Sequence, residues 1–113
     1  MWTRSPSPQA GWDWRVEPGL IRVSGELLRS TLDHCRPGLP VGVAGPMVEV
    51  HLGQVRRIDT AGLAWLTALQ ADAEEKGIRL RYTHAPQAMQ QMMGVYGLDG
   101  LMTLETGLDQ PSA

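Results

Sequence analysis

A single cysteine, Cys35, occurs among the 113 residues, so no internal disulfide can form and the chain is not built around oxidation. No run approaches about 18 consecutive apolar residues, and a membrane-spanning helix is not expected. Met1 to Gly11 hold one arginine and no apolar stretch, and do not read as a signal peptide. Positive charge is not in excess either. Ten Lys and Arg stand against twelve Asp and Glu, for a net charge of −2. That balance gives no broad basic surface for nucleic acid. Motifs for chemistry are also scarce. No Gly-x-x-x-x-Gly-Lys-Ser/Thr loop is present to cradle a phosphate, and no Gly-x-Ser-x-Gly elbow to carry a nucleophile. His34, His51 and His84 have no metal-ligand spacing, and Glu49-x-His51 is too sparse for a metal. Asp33, Glu49 and Asp59 are candidate acids or bases, but nothing in the spacing joins two of them to a nucleophile. The reading is of a protein that is not an enzyme and needs no cofactor.

What is present suits one folded domain: 42% hydrophobic and 19% charged residues, in a chain long enough for one core. Residues 1–11 read as a flexible leader, 12–104 as the domain and 105–113 as a tail. Trp12, Trp14 and Val16 alternate with Asp13 and Arg15, a strand pattern. Pro18-Gly19 suits a type II turn, and Leu20 to Ser24 forms the second arm of a hairpin, with Ile21 and Val23 on one face. From Glu26 to Arg36 the spacing of Leu28, Leu32 and Cys35 predicts a helix, with Cys35 an inert core thiol. Residues 37–46 form an irregular, Pro- and Gly-rich connector. Met47 to Leu52 is a strand with Val48, Val50 and Leu52 on one side. A long helix runs from Asp59-Thr60 to Lys76, stopped by Gly77. Ile78 to Tyr82 is a strand. Pro86 opens a helix whose apolar stripe is Met89, Met92, Met93 and Tyr96. Leu101 to Leu104 ends the domain as an edge strand or short helix. Alternating strands and helices after a hairpin give an α/β fold: a mixed sheet with helices packed against it.

The segment from Ile58 to Leu66 is the most informative. Asp59 and Thr60 stand where a helix start leaves backbone N–H groups without partners, so Asp59 reads as the cap. With Leu66 at the centre of the buried face, Gly62, Leu63, Leu69 and Ala73 lie within about 60° of it. Gly62 there lets the helix approach the sheet closely. Ala61, Ala64 and Ala68 fall on the opposite side, and Trp65 lies about 100° from the core centre. Small side chains beside an outward tryptophan make a flat surface suited to a protein partner, with Thr60 at its N-terminal end. Trp65 folding down over the sheet edge is the competing reading.

Asp59-Thr60-Ala61-Gly62-Leu63 resembles the signature of STAS domains, the sulphate-transporter and anti-sigma-factor-antagonist family. Arg57 to Leu66 looks most like the branch formed by the small cytoplasmic STAS subunit of a phospholipid-transporting ABC system, which maintains outer-membrane lipid asymmetry. Gly25-Glu26-Leu27 is similar to the family's early Gly-x-Leu. Pro86 to Met89 and Val95 to Leu101 resemble the last helix and its exit in that branch. The resemblance spans roughly residues 12–104. It implies docking on the ATPase subunit of an ABC transporter, itself in complex with a membrane permease. The hydroxyl carried over in this role would be Thr60, and the outer-face reading adds Ala61, Ala64, Trp65 and Ala68 as docking residues. It implies a cytoplasmic protein, peripheral on the inner membrane through its partner, with no insertion of its own. Anti-sigma-factor antagonism is the alternative. Its usual motif is Asp-Ser-Ser-Gly, phosphorylated on the second hydroxyl residue, and Ala61 stands there without an acceptor. Modification of Thr60 and pairing of the isolated domain through its apolar patch stay open.

Overall fold

The computed structural model describes residues 11–32, 38–97 and 104–105. Alternation builds the first two strands. β1 (Trp12–Glu17) buries Trp12 and Trp14 and exposes Asp13, Arg15 and Glu17. β2 (Leu20–Leu27) buries Ile21, Val23, Gly25 and Leu27. They pair antiparallel, with Glu17 opposite Leu20 across the two-residue Pro18-Gly19 turn. Gly19 is not among the residues at positive φ, so the expected type II turn, which needs one, does not form.

β3 (Met47–Ile58) is twelve residues long, twice the predicted strand. Gly53-Gln54 reads locally as a stop. In the fold it is a bulge: Arg22 pairs with His51, whereas Ser24 pairs with Gln54. A Cβ at Gly53 would lie 2.7 Å from Cε1 of His51, so a side chain there would have to displace that ring. The extra length of β3 gives β2 a partner as far as Leu27↔Ile58. That overturns the helix expected from Glu26. Its first residues continue the strand, then turn. The Leu32 N–H reaches the Leu28 carbonyl at 2.9 Å, and the Thr31 hydroxyl accepts from the Leu28 N–H at 2.9 Å. The rest of that predicted helix, with Asp33, His34 and Cys35, lies outside the described residues.

α1 (Thr60–Glu75) follows one residue after β3, then β4 (Arg79–Thr83), α2 (Gln87–Tyr96) and β5 (Leu104–Glu105). The sheet order is β1-β2-β3-β4-β5, with every pair after the hairpin parallel. The architecture is therefore the expected mixed α/β sheet. Strands that advance in one direction through right-handed crossovers place their helices on one face. The burial pattern agrees. Val48, Val50, Leu52, Leu80 and Tyr82 join Leu63, Leu66, Leu69, Met89 and Met93 in one core. The other face carries Arg15, Arg22, Glu49, His51 and Arg81. Met89 and Met93 are core, as their spacing predicts. Tyr96 is 55% exposed and does not extend their stripe inward. Residues 1–10 of the expected leader, 106–113 of the expected tail and 101–103 of the predicted last element fall outside the described residues.

Candidate docking surface at the start of helix α1

Asp59 ties three pieces of chain together. Its backbone is extended, its Oδ1 accepts the Gly62 N–H at 3.0 Å, and its Oδ2 accepts the Arg29 N–H at 3.0 Å. Its own N–H donates to the Leu27 carbonyl at 3.2 Å, and its carbonyl receives the Leu63 N–H at 3.0 Å. One residue thus caps α1 and fastens the turn after β2. Partial burial pushes the Asp59 carboxyl upward. The backbone donors of Arg29, Gly62 and Ala61 together outweigh it and hold the pKa below the ordinary aspartate value.

Gly62 explains why the cap can sit so close to the sheet. A Cβ there would collide with the Leu27 carbonyl oxygen and lie 2.8 Å from Cγ1 of Ile58. The close approach read from the sequence is required by backbone, not by a movable side chain.

The outer face of α1 is made of small residues. Thr60, Ala64 and Ala68 are exposed, and Ala61 is half-buried. Ala71, which sequence reasoning passed over, extends the exposed run by a turn. Its spacing from Ala64 and Ala68 was the available signal. Thr67 turns its hydroxyl onto the Ala64 carbonyl at 2.8 Å and so adds little polarity. Among the described residues the Thr60 hydroxyl has no hydrogen-bond partner. Charge enters this helix only in its last turns. There Asp72 accepts the Leu39 N–H at 2.8 Å and pairs with Lys76 at 2.7 Å.

Trp65 is not on this face, and the outward indole expected from the sequence is corrected here. It is 5% exposed and packs between Trp12 and Trp14, with ring centroids 5.0 and 5.7 Å away. The two partners meet edge-on at 5.2 Å. The reason is lateral. A side chain about 100° from the core centre is exposed only if the sheet ends beneath the helix axis. β1 lies beyond β2 and carries the apolar floor outward, so the long indole leans onto it. The Nε1 atoms of Trp12 and Trp65 have no hydrogen-bond partner in this cluster. Trp65 supports the alanine face from below and offers a partner no surface.

Beside the cap opens a groove of about 800 Å³. Leu28, Ile58 and Ala88 supply its apolar lining, and Arg29, Arg56 and Arg57 its cations. Sequence reasoning noted Arg57 only within the motif and passed over the other two. They come from a turn and a strand end that only the fold brings together. Two predicted loners also meet elsewhere. His51 and His84 stack at 4.2 Å on the open face of the sheet, and the His51 Nδ1 accepts the Gly53 N–H at 3.1 Å. His84 holds a positive φ of 58°. Among the described residues no three His, Cys, Asp or Glu side chains gather to hold a metal, and no helix is long and apolar enough to cross a membrane.

Comparison with known proteins finds matches to a family and to solved structures. The family described as "Mlab, STAS domain" matches residues 10–105. Among solved structures, a sulfate transporter family protein from Wolinella succinogenes superposes with a TM-score of 0.54 over 80% of each chain. Its identity of 15% makes this a likeness of fold. No curated protein matches the chain at a significant level.

Proposed function

The chain belongs to the STAS family, and from that premise we propose that it is a non-catalytic docking subunit of a phospholipid-transporting ABC complex. It binds the cytoplasmic ATPase of that complex through the outer face of α1 and supports assembly or activity. It sits on the inner membrane only through this partner. The observation that carries the reading is the uncharged, small-residue face formed by Thr60, Ala61, Ala64 and Ala68, with a threonine hydroxyl at its end that has no partner among the described residues. Small side chains let a partner helix approach closely, and the free hydroxyl can donate to or accept from it. Asp59 and Trp65 take no contact themselves. One fixes the start of the helix, the other its height above the sheet. The family match supports a protein-interaction role, and its description supports the transporter branch. Ala61 in place of a second hydroxyl residue weighs against a phosphorylation-driven anti-sigma role.

The test is recovery of an ATPase from native membranes by the tagged full chain, with the captured protein identified by mass spectrometry. Thr60→Glu and Ala64→Glu both put charge on exposed positions and leave the core alone. Each should lower recovery about tenfold or more, the scale of burying an unpaired charge in an interface. Undiminished recovery with both variants folded would remove the α1 face from consideration.

A further inference from the structure

The groove at the α1 cap carries more positive charge than its own acids can neutralise. Asp59 is the only carboxylate among the described residues that line it. Both its oxygens are committed to backbone N–H groups, of Arg29 and Gly62. It is therefore turned toward the amides of the cap, not toward the arginine side chains. Arg57 reaches Glu26 at only 3.7 Å, and its side chain stays 68% exposed. For Arg29 and Arg56, no carboxylate of a described residue lies within ion-pair distance. Three arginines thus line an opening whose walls include Leu28, Ile58 and Ala88. The start of α1 adds the positive end of a helix dipole on the same side.

We infer that this groove receives an acidic segment of the partner protein, one carrying apolar side chains among its carboxylates. The inference rests on the docking reading above, because the groove adjoins the exposed face that begins at Thr60. Its two components match its lining. Guanidinium groups pair with carboxylates in a bidentate geometry, and the apolar walls accept aliphatic side chains that a lone phosphate or lipid headgroup does not supply. Complementary charge would also set the register of the docked helix and speed encounter, both weakening with added salt.

The test uses the full chain, ¹⁵N-labelled, and three probes: a synthetic peptide of alternating Glu and Leu, vesicles of phosphatidylcholine with phosphatidylglycerol, and inorganic phosphate. The peptide should shift the amides of Arg29, Ile58 and Ala88. The double variant Arg29→Glu, Arg56→Glu should weaken it about tenfold, in keeping with two exposed charge pairs reversed. The control Arg15→Glu, Arg22→Glu makes the same charge change on the open sheet face and should leave peptide binding within about twofold. Thermal unfolding of both variants establishes that they fold. Peptide binding indifferent to the groove arginines overturns the inference. So does groove-dependent binding of vesicles or phosphate without the peptide. Membrane capture separates the two levels. If the Arg29, Arg56 variant still recovers the ATPase while Ala64→Glu does not, the groove inference falls and the docking reading stands. If neither variant lowers recovery, both fall.

Discussion

Replacing Gly62 with alanine is the most demanding test of the geometry at the α1 cap. In an exposed helix interior, Gly→Ala stabilises by about 0.8–1 kcal/mol, because glycine has more backbone freedom to lose. At Gly62 the new methyl would instead collide with the Leu27 carbonyl oxygen and crowd Ile58 Cγ1 at 2.8 Å. Ordinary contact between heavy atoms is about 3.5–4.0 Å. The carbonyl cannot swing away freely, because it accepts the Asp59 N–H, and Asp59 in turn holds Arg29 and Gly62. The helix start must lift, with strain of about 3 kcal/mol at the upper end of overpacking effects. Subtracting the propensity gain leaves a net loss of about 2 kcal/mol, or about 8 °C in Tm for a chain of this size. Gly94 supplies the internal control. It lies in α2, and a methyl added there would meet nothing within 4 Å, so Gly94→Ala has only the propensity gain. It should raise Tm by about 3 °C. Circular dichroism melts of the two variants and the parent decide the matter. If Gly62→Ala is as stable as the parent, the close approach of α1 to the end of β2 is wrong.

The remaining predictions concern neighbouring features. Trp65→Ala should cost about 3–5 kcal/mol in urea unfolding, since it empties the space between Trp12 and Trp14. A loss under about 1 kcal/mol would return the indole to the surface. Asp59→Ala should cost about 1–2 kcal/mol by loss of the cap. Since the folded-state pKa of Asp59 is depressed, its contribution is complete above about pH 4 and is lost as pH falls through that pKa. The variant should accordingly show a shallower acid limb in a stability-versus-pH series. His51 works in the histidine range. Burial first, then the His84 ring and the Arg22 guanidinium, lower its pKa, with Glu49 opposing. The neutral ring is the favoured one in the fold, so its contribution is complete above about pH 6.5 and lost as pH falls through the lowered pKa. His51→Gln should flatten stability between about pH 7 and 5, and an unaltered slope would refute the assignment.

Much of the fold was legible because it is written in local periods. Alternation at Trp12, Trp14 and Val16 marked β1, and the 3.6-residue stripe of Gly62, Leu66, Leu69 and Ala73 oriented α1. The Asp59 cap and the Met89–Met93 stripe were readable for the same reason. The outward alanines were fixed once Leu66 was set at the core centre. Such features depend on neighbours within a few residues along the chain.

What could not be read depends on neighbours far along it. Whether Leu27 is strand or helix turns on Ile58, which continues the ladder after β3 shifts register and resumes. The arginine groove assembles from the turn after β2, the end of β3 and the first turn of α2. Trp65 shows the distinction most clearly. Rotation about the helix gives its angle in every possible fold, but not what lies under that angle. The width of the sheet decides burial, and that width comes from a hairpin at the other end of the sequence laying two tryptophans beneath it. Helical angle is a property of the segment alone, whereas exclusion of water requires all the surfaces that surround a side chain to be in place.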